Sequence, residues 1–220
     1  MESAANASYN ALVTQLSRRF RNHFTFSAHY TWSKALDEVV DLTPDYEPHN
    51  QLDARGDRSL SSFNQSHRFV ANAVYQSPSG ARSPFTRDWT VSFITMASSG
   101  QPFNVTTGTD NMGDGEVTNH RPLGLGRNMG KGPNLFTADF RLARSVSLQK
   151  DSKLRLQVTA EVFNALNRTN FESVNSVVGD IPLPALPSPI VGRRGDPSAP
   201  FSFISARDPR QFQFGMKLAF

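Results

Sequence analysis

The feature that most constrains this chain is a strict alternation over its last residues, 210–220. A β-strand directs successive side chains to opposite faces, so a period of two predicts a strand with one apolar and one polar face. Such a strand, about 9–11 residues long, is typical of a barrel wall between lipid and a wet lumen. The edge strand of a soluble sandwich is the alternative. The large apolar positions are Phe212, Phe214, Met216, Leu218 and Phe220.

The same alternation recurs through the rest of the chain and predicts about seven strands in total. Tyr30 and Trp32 end one of these runs, and amphipathic aromatic rings are typical of the rim of a membrane barrel. In a soluble sandwich the same two residues would belong to the core. The six further strand segments are 9–20, 24–32, 67–75, 89–97, 136–148 and 154–162.

The connections between these strands alternate in length. Short turns are expected at 21–23, 77–84 and 149–152, and long loops at 36–66, 106–134 and 167–208. Outer-membrane barrels have short periplasmic turns and longer extracellular loops, whereas soluble sandwiches have no reason to sort loops in this way. Seven strands are an odd number, and an unpaired strand edge in lipid is costly. The prediction is therefore all-β: an antiparallel transmembrane β-barrel that is partial, residues 1–220 being the C-terminal part of a larger barrel.

Composition excludes several functional classes. The chain has no cysteine, so disulfide frameworks, thiol catalysis and cysteine zinc sites are excluded. Its 23 basic and 19 acidic residues are interspersed, which argues against a nucleic-acid groove. The five histidines have no zinc-binding spacing, and the glycine pairs at 124–126 and 130–132 have no strand-to-helix context for phosphate binding. No enzyme activity and no secretory signal are expected from the sequence.

Two groups of residues are candidates for binding. Asp57, Arg58, His67 and Arg68 flank the first long loop, where their side chains contact a solute or, as the favoured alternative, form ion pairs that order the loop.

Asp110, Asp114 and Glu116 surround a glycine-rich turn in the second long loop. Oxygen ligands in this arrangement suit calcium, although the spacing is not that of an EF-hand. A plain turn stabilised by aspartate and glycine is the favoured alternative.

Several segments, in order along the chain, resemble the C-terminal barrel of TonB-dependent receptors, especially the Oar-like group with a carboxypeptidase-regulatory-like domain. They are YTWSKALD at 30–37, Asp57-Arg58 with SSFNQSHRFV at 61–70, SGQPF at 99–103, Gly113–Gly115 with Arg121-Pro122, FNALNRTNF at 163–171 and PRQFQFGMKLAF at 209–220. In that family, such segments form the last part of a 22-stranded barrel that imports large or scarce solutes.

The resemblance implies a fragment of a bacterial outer-membrane transporter that forms barrel wall and extracellular loops, without the plug domain. It implies outer-membrane lipid and the barrel-assembly machinery as partners, with the last aromatic strand, ending at Phe220, as the assembly signal. Contact with the TonB complex is expected only through an N-terminal part outside this sequence. Asn64 and His120 stand where many relatives have acidic residues. A soluble all-β calcium- or carbohydrate-binding module or adhesin is the alternative, and a small autonomous pore is a third hypothesis.

Overall fold

A computed structural model describes residues 5–38, 54–78, 83, 86–110, 113, 115, 120–148, 154–179, 181 and 185–220. These residues contain twelve strands and one short 3-10 turn, Ala54–Asp57. The strands are β1 Ala7–Arg21, β2 Phe24–Asp37, β3 Ser59–Leu60, β4 His67–Gln76, β5 Trp89–Ser98, β6 Pro102–Phe103, β7 Gly130–Lys131, β8 Leu135–Ser147, β9 Arg155–Phe163, β10 Phe171–Val174, β11 Phe203–Ala206 and β12 Gln211–Ala219.

Seven long strands form one antiparallel sheet in the order β1-β2-β4-β5-β8-β9-β12, with β3 paired to the end of β2. Each long strand pairs with the long strands before and after it in the chain, as in an up-and-down barrel wall. The predicted all-β antiparallel architecture and the seven strands are confirmed. None of the helices among the described residues is long and apolar enough to span a membrane.

The pairing register aligns the apolar residues of all seven strands on one face of the sheet. Leu12 of β1 lies opposite Trp32 of β2, and Leu218 of β12 lies opposite Leu156 of β9. Since side chains alternate, a slip of one residue would move a whole apolar set to the other face. One transverse row across the sheet contains Phe26, Ala73, Phe93, Phe140, Val162 and Phe212.

This apolar face, called the outward face below, is uncovered among the described residues. Phe214 is 77% exposed and Met216 is 80% exposed. Apolar area of this extent is destabilising in water, at roughly 25 cal/mol per Å², but is stable against hydrocarbon. The outward face therefore requires lipid.

The opposite face, called the lumenal face below, is mainly polar. Ser27 and His29 of β2 form a hydrogen bond of 2.7 Å between side chains. Arg141 of β8 and Glu161 of β9, directly opposite each other, form an ion pair of 3.3 Å. These hydrophilic groups suit a wet lumen, because unsolvated they would carry a large desolvation cost.

The sheet does not close on itself, because β1 and β12 do not pair with each other. Each therefore has one edge whose backbone donors and acceptors have no strand partner within this sheet. Unpaired backbone groups in the hydrocarbon layer each cost several kcal/mol. The open sheet is therefore part of a barrel wall that other strands complete.

The long connections all leave the same end of the sheet, called the outer end below because outer-membrane barrels carry long loops outside the cell. The turn at the other end includes Asn22 and His23, both with positive φ, as a tight two-residue hairpin turn requires. The predicted alternation of short and long connections is confirmed. Residues 149–152, predicted as a turn, lie outside the described residues.

The apolar core among the described residues lies in the long connections and not in the sheet. Val105, Val178, Ile190 and Phe201 are buried together at the outer end. The short strand pairs β6-β7 and β10-β11 hold the backbone around them. The long loops predicted at 106–134 and 167–208 therefore contain short strands and core residues that were not predicted. Short strands and scattered core residues show no sustained periodicity, so the sequence pattern does not reveal them.

A close backbone contact explains why the segment SGQPF has a glycine, Gly100, at its second position. A Cβ atom on Gly100 would lie 1.9 Å from the carbonyl oxygen of Gly132. The Gly132 amide in turn donates a hydrogen bond of 2.9 Å to the Gln101 carbonyl. The two backbone segments approach so closely that only glycine fits.

We expect Gly100→Ala to destabilise the protein by about 1–3 kcal/mol, because the backbone around Gly132 must move. Gly56→Ala is the matched control, since nothing lies within 4 Å of its Cβ position. Urea unfolding in detergent micelles measures both. Equal stability of the two variants would contradict the close approach.

The two tryptophans of the chain, Trp32 and Trp89, lie on the outward face at opposite ends. Trp32 lies opposite His67, and Trp89 exchanges hydrogen bonds of 2.8 Å with Ser77, just beyond the end of β4. Strand β4, of 10 residues, runs between the levels of the two tryptophans and spans about 33 Å. At the usual barrel tilt this is about 25 Å along the membrane normal, the height of a barrel's apolar band. The tryptophans therefore mark the two membrane interfaces.

We expect lipids brominated high on the acyl chain to quench both tryptophans more strongly than lipids brominated near the bilayer centre. The variants Trp32→Phe and Trp89→Phe report each position separately after reconstitution into vesicles. Quenching that is strongest from the bilayer centre, or no quenching at all, would contradict this placement.

Candidate functional site

A cluster of buried charges joins the outer end of β2 to two long connections. Arg127 donates a hydrogen bond of 2.6 Å to the Asp37 carbonyl, one of 3.1 Å to the Asp57 carbonyl, and forms an ion pair with the Asp37 carboxylate. Arg121 forms an ion pair with the Asp57 carboxylate. All four residues are buried. Buried charges are stable only when they are paired and hydrogen-bonded, so these contacts hold the two connections together.

A third ion pair attaches β1 to the same cluster. Glu38 is buried, and its carboxylate accepts a hydrogen bond of 2.8 Å from the Asn6 amide. The same carboxylate lies 3.3 Å from the guanidinium of Arg58, which also donates to Ser8 at 3.2 Å. The start of β1 is thereby held against the first long connection.

Asn64 and His120 take structural roles. Asn64 is buried, accepts a hydrogen bond of 2.7 Å from the Ala35 amide and donates one of 3.1 Å to Ser66. A ring nitrogen of His120 lies 3.1 Å from the Thr109 carbonyl. An amide at position 64 satisfies both a donor and an acceptor, which an ionised carboxylate would not.

The four candidates of the first long loop do not form one site. Asp57 and Arg58 form the intramolecular ion pairs described above. His67 lies on the outward face, where its ring accepts or donates a hydrogen bond of 2.8 Å with the Tyr30 hydroxyl. Arg68 lies on the lumenal face, exposed and opposite Ser98. Of the four, Arg68 has the position to contact a solute in the lumen, and that contact stays a prediction.

The proposed calcium ligands are only partly described. Both carboxylate oxygens of Asp110 accept backbone hydrogen bonds, from Gly113 at 2.6 Å and from Gly115 at 3.0 Å. This is the geometry of an aspartate-stabilised turn. Asp114 and Glu116 lie outside the described residues. Within the described ranges, no group of three or more histidine or acidic residues could hold a metal ion.

Two depressions open at the outer end on the lumenal side. One, of about 430 Å³, is lined by Gln65, Ser98 and residues of β6 and β10. The other, of about 610 Å³, is lined by Thr137, Asp139 and the residues that precede β12. Glu172 and Arg207 line both depressions and form an ion pair of 3.1 Å between them. The polar lining of the two depressions has hydrogen-bond donors and acceptors for a hydrophilic solute.

Two asparagines of the segment FNALNRTNF, Asn164 and Asn170, line the second depression, and Asn167 lies between them in the chain. The Asn164 amide donates to the Asp139 carboxylate at 2.8 Å, and the Asn167 side chain accepts from the Arg210 amide at 3.1 Å. Asn170 is buried and accepts from the Phe136 amide at 2.9 Å. Hydrogen bonds of this segment therefore hold the end of β9 against β8 and against the start of β12. This role was not predicted from the sequence, although a repeated Asn-x-x-Asn spacing at a strand end signals such turn chemistry.

We expect Arg127→Met to lower the free energy of unfolding by about 3–5 kcal/mol, because Asp37 is left buried without its partner. The matched control is Arg207→Met, whose ion pair with Glu172 is exposed on both sides, at 48% and 52%. Its loss is expected to cost at most about 1 kcal/mol after solvent screening.

Urea unfolding monitored by tryptophan fluorescence measures both effects. A double variant, Arg127→Met with Asp37→Leu, should recover much of the lost stability, since no uncompensated charge remains. A result in which Arg207→Met costs as much as Arg127→Met would overturn the assignment of the buried pair as the main contact that holds the connections together.

Comparison with known proteins agrees with the fold. No curated protein and no solved structure matches the chain. A family model described as an outer membrane beta barrel domain matches residues 1–124 and 122–213, which is nearly the whole chain. The exposed outward face, the polar lumenal face and the loops sorted to one end are the properties of such a wall. The chain therefore belongs to the outer membrane beta barrel domain family.

Proposed function

We propose that the chain is the C-terminal wall and extracellular loop region of a TonB-dependent outer-membrane transporter for solute uptake. The observation that carries this proposal is the open sheet, whose two unpaired edges require further strands. The 22-stranded transporters have a wide lumen filled by a plug, and seven strands form about a third of such a wall. The ordered segments from YTWSKALD to PRQFQFGMKLAF support the same assignment.

The outer end provides the means of capture in this proposal. The buried ion pairs and the apolar loop core hold the long connections in place, so the lumenal depressions are formed before a solute arrives. Glu172 and Arg207 present opposite charges to these depressions, and Arg68 adds a cation on the neighbouring strand. A solute bound there passes into the lumen when the plug moves, with energy that the TonB complex supplies through the N-terminal part. No enzymatic step is part of this function.

The last strand has the pattern expected of an assembly signal. Its outward residues, from Phe212 to Phe220, are exposed, and its far edge is unpaired in this sheet. An edge with free backbone donors and acceptors pairs readily with another strand. We therefore assign recognition by the barrel-assembly machinery to β12.

A soluble binding module or adhesin is disfavoured by the extent of the outward apolar face, which would aggregate in water. A small autonomous pore is disfavoured by the unpaired edges of β1 and β12.

The proposed function predicts that the native protein is about three times the size of this chain, in proportion to 22 strands against seven. Antibodies against residues 185–220 should detect it in the outer-membrane fraction, and cross-linking in cells should join it to TonB. A TonB deletion should remove the cross-linked band and leave the protein in the membrane.

An outer-membrane protein of 24.4 kDa without TonB cross-links would refute the transporter assignment while leaving the barrel fold intact. A matched control is another outer-membrane barrel in the same cells that takes no energy from TonB.

A further inference from the structure

We propose that the outward face carries, at its outer rim, a binding site for a phosphorylated glycolipid of the outer leaflet. The site is a groove made of two adjoining depressions, of about 390 and 610 Å³. The two depressions share Lys131, Asn134 and Arg168, so they form one continuous surface. The inference depends on the outward face meeting lipid and does not depend on coupling to TonB.

The floor of the groove belongs to the lipid-facing surface of the sheet. Tyr30, Phe69, Ala97 and Phe136 lie side by side in one transverse row across β2, β4, β5 and β8. All four line the smaller depression. This row is one pair of residues inside the level of Trp32, which marks the outer membrane interface. Acyl chains therefore reach this floor, and headgroups lie above it.

The upper wall of the groove is cationic. Lys131 and Arg168 line both depressions, and Arg194 lines the larger one. The guanidinium of Arg168 lies 5.8 Å from the centre of the Phe136 ring, and that of Arg194 lies 5.4 Å from the centre of the Phe171 ring. Stacking on aromatic rings orients both guanidinium groups without neutralising their charge.

Among the described residues, no carboxylate compensates the charge of the groove. The described residues that line the two depressions include no aspartate or glutamate. Across the part of the chain that the structure describes, Lys131, Arg168 and Arg194 have no carboxylate within 4.0 Å, whereas Arg58, Arg121, Arg127 and Arg207 at the same end are all paired. Three cations above an apolar floor at the headgroup level match a ligand with several phosphates and several acyl chains.

The test uses the whole protein purified in detergent from outer membranes of cells that carry the variants, with diphosphorylated lipid A as the probe. Native mass spectrometry measures its affinity. The triple variant Lys131→Gln, Arg168→Gln, Arg194→Gln should bind about 100-fold more weakly, about fivefold for each cation removed. The control variant Arg141→Gln, Arg155→Gln, Lys217→Gln removes the same charge from the lumenal face and should bind like the unaltered protein.

Two further arms identify the ligand. Monophosphorylated lipid A should bind several-fold more weakly than the diphosphorylated form, and excess inorganic phosphate should not displace the lipid. Equal affinity of the triple variant and the control would overturn the site. Complete displacement by inorganic phosphate would overturn the lipid assignment in favour of a small-anion site. All variants should keep the heat-dependent gel mobility of a folded barrel, because the three cations are exposed and form no ion pair with any described residue.

Discussion

The lack of water in the hydrocarbon layer is the constraint on which this structure depends. Backbone donors and acceptors there must all find partners in neighbouring strands. Continuous pairing from β1 to β12 meets this demand inside the sheet and leaves it unmet at the two edges. The same constraint fixes the register, because each strand must also direct its apolar side chains to the lipid.

Different interactions stabilise the sheet and the outer end, because the two regions have different surroundings. In the sheet, backbone hydrogen bonds dominate and the side chains on both faces stay largely exposed to lipid or lumen. At the outer end, the protein resembles a soluble domain, with an apolar core around Val105 and Phe201 and buried ion pairs around Arg127. Burial of apolar surface stabilises only this second region, since lipid removes the hydrophobic advantage in the first.

The sequence predicted the parts of this fold that repeat. Alternation from Phe24 to Trp32 and from Phe212 to Phe220 identifies strands and their lipid-facing sides, because the period of two is set by strand geometry. The core residues Val105 and Phe201 were missed, since they come from segments without a period. The partners of Asp57 and Asp37 were also missed. A pairing across more than sixty residues leaves no local signal, and charge alone does not choose between Arg121, Arg127 and the other cations of the chain.

The outer region is assembled from segments that are far apart in the chain. Val105 belongs to the connection between β5 and β8, whereas Val178 and Phe201 belong to the connection between β9 and β12. The lumenal depression of about 430 Å³ is lined by residues of these same two connections, together with Gln65. Replacement of one long connection by that of a relative would therefore expose part of the apolar core and disrupt the lumenal depressions. In the proposed transporter, exchange of single lining residues, or of both connections as a unit, would change solute specificity with less damage to the fold than recombination within one loop.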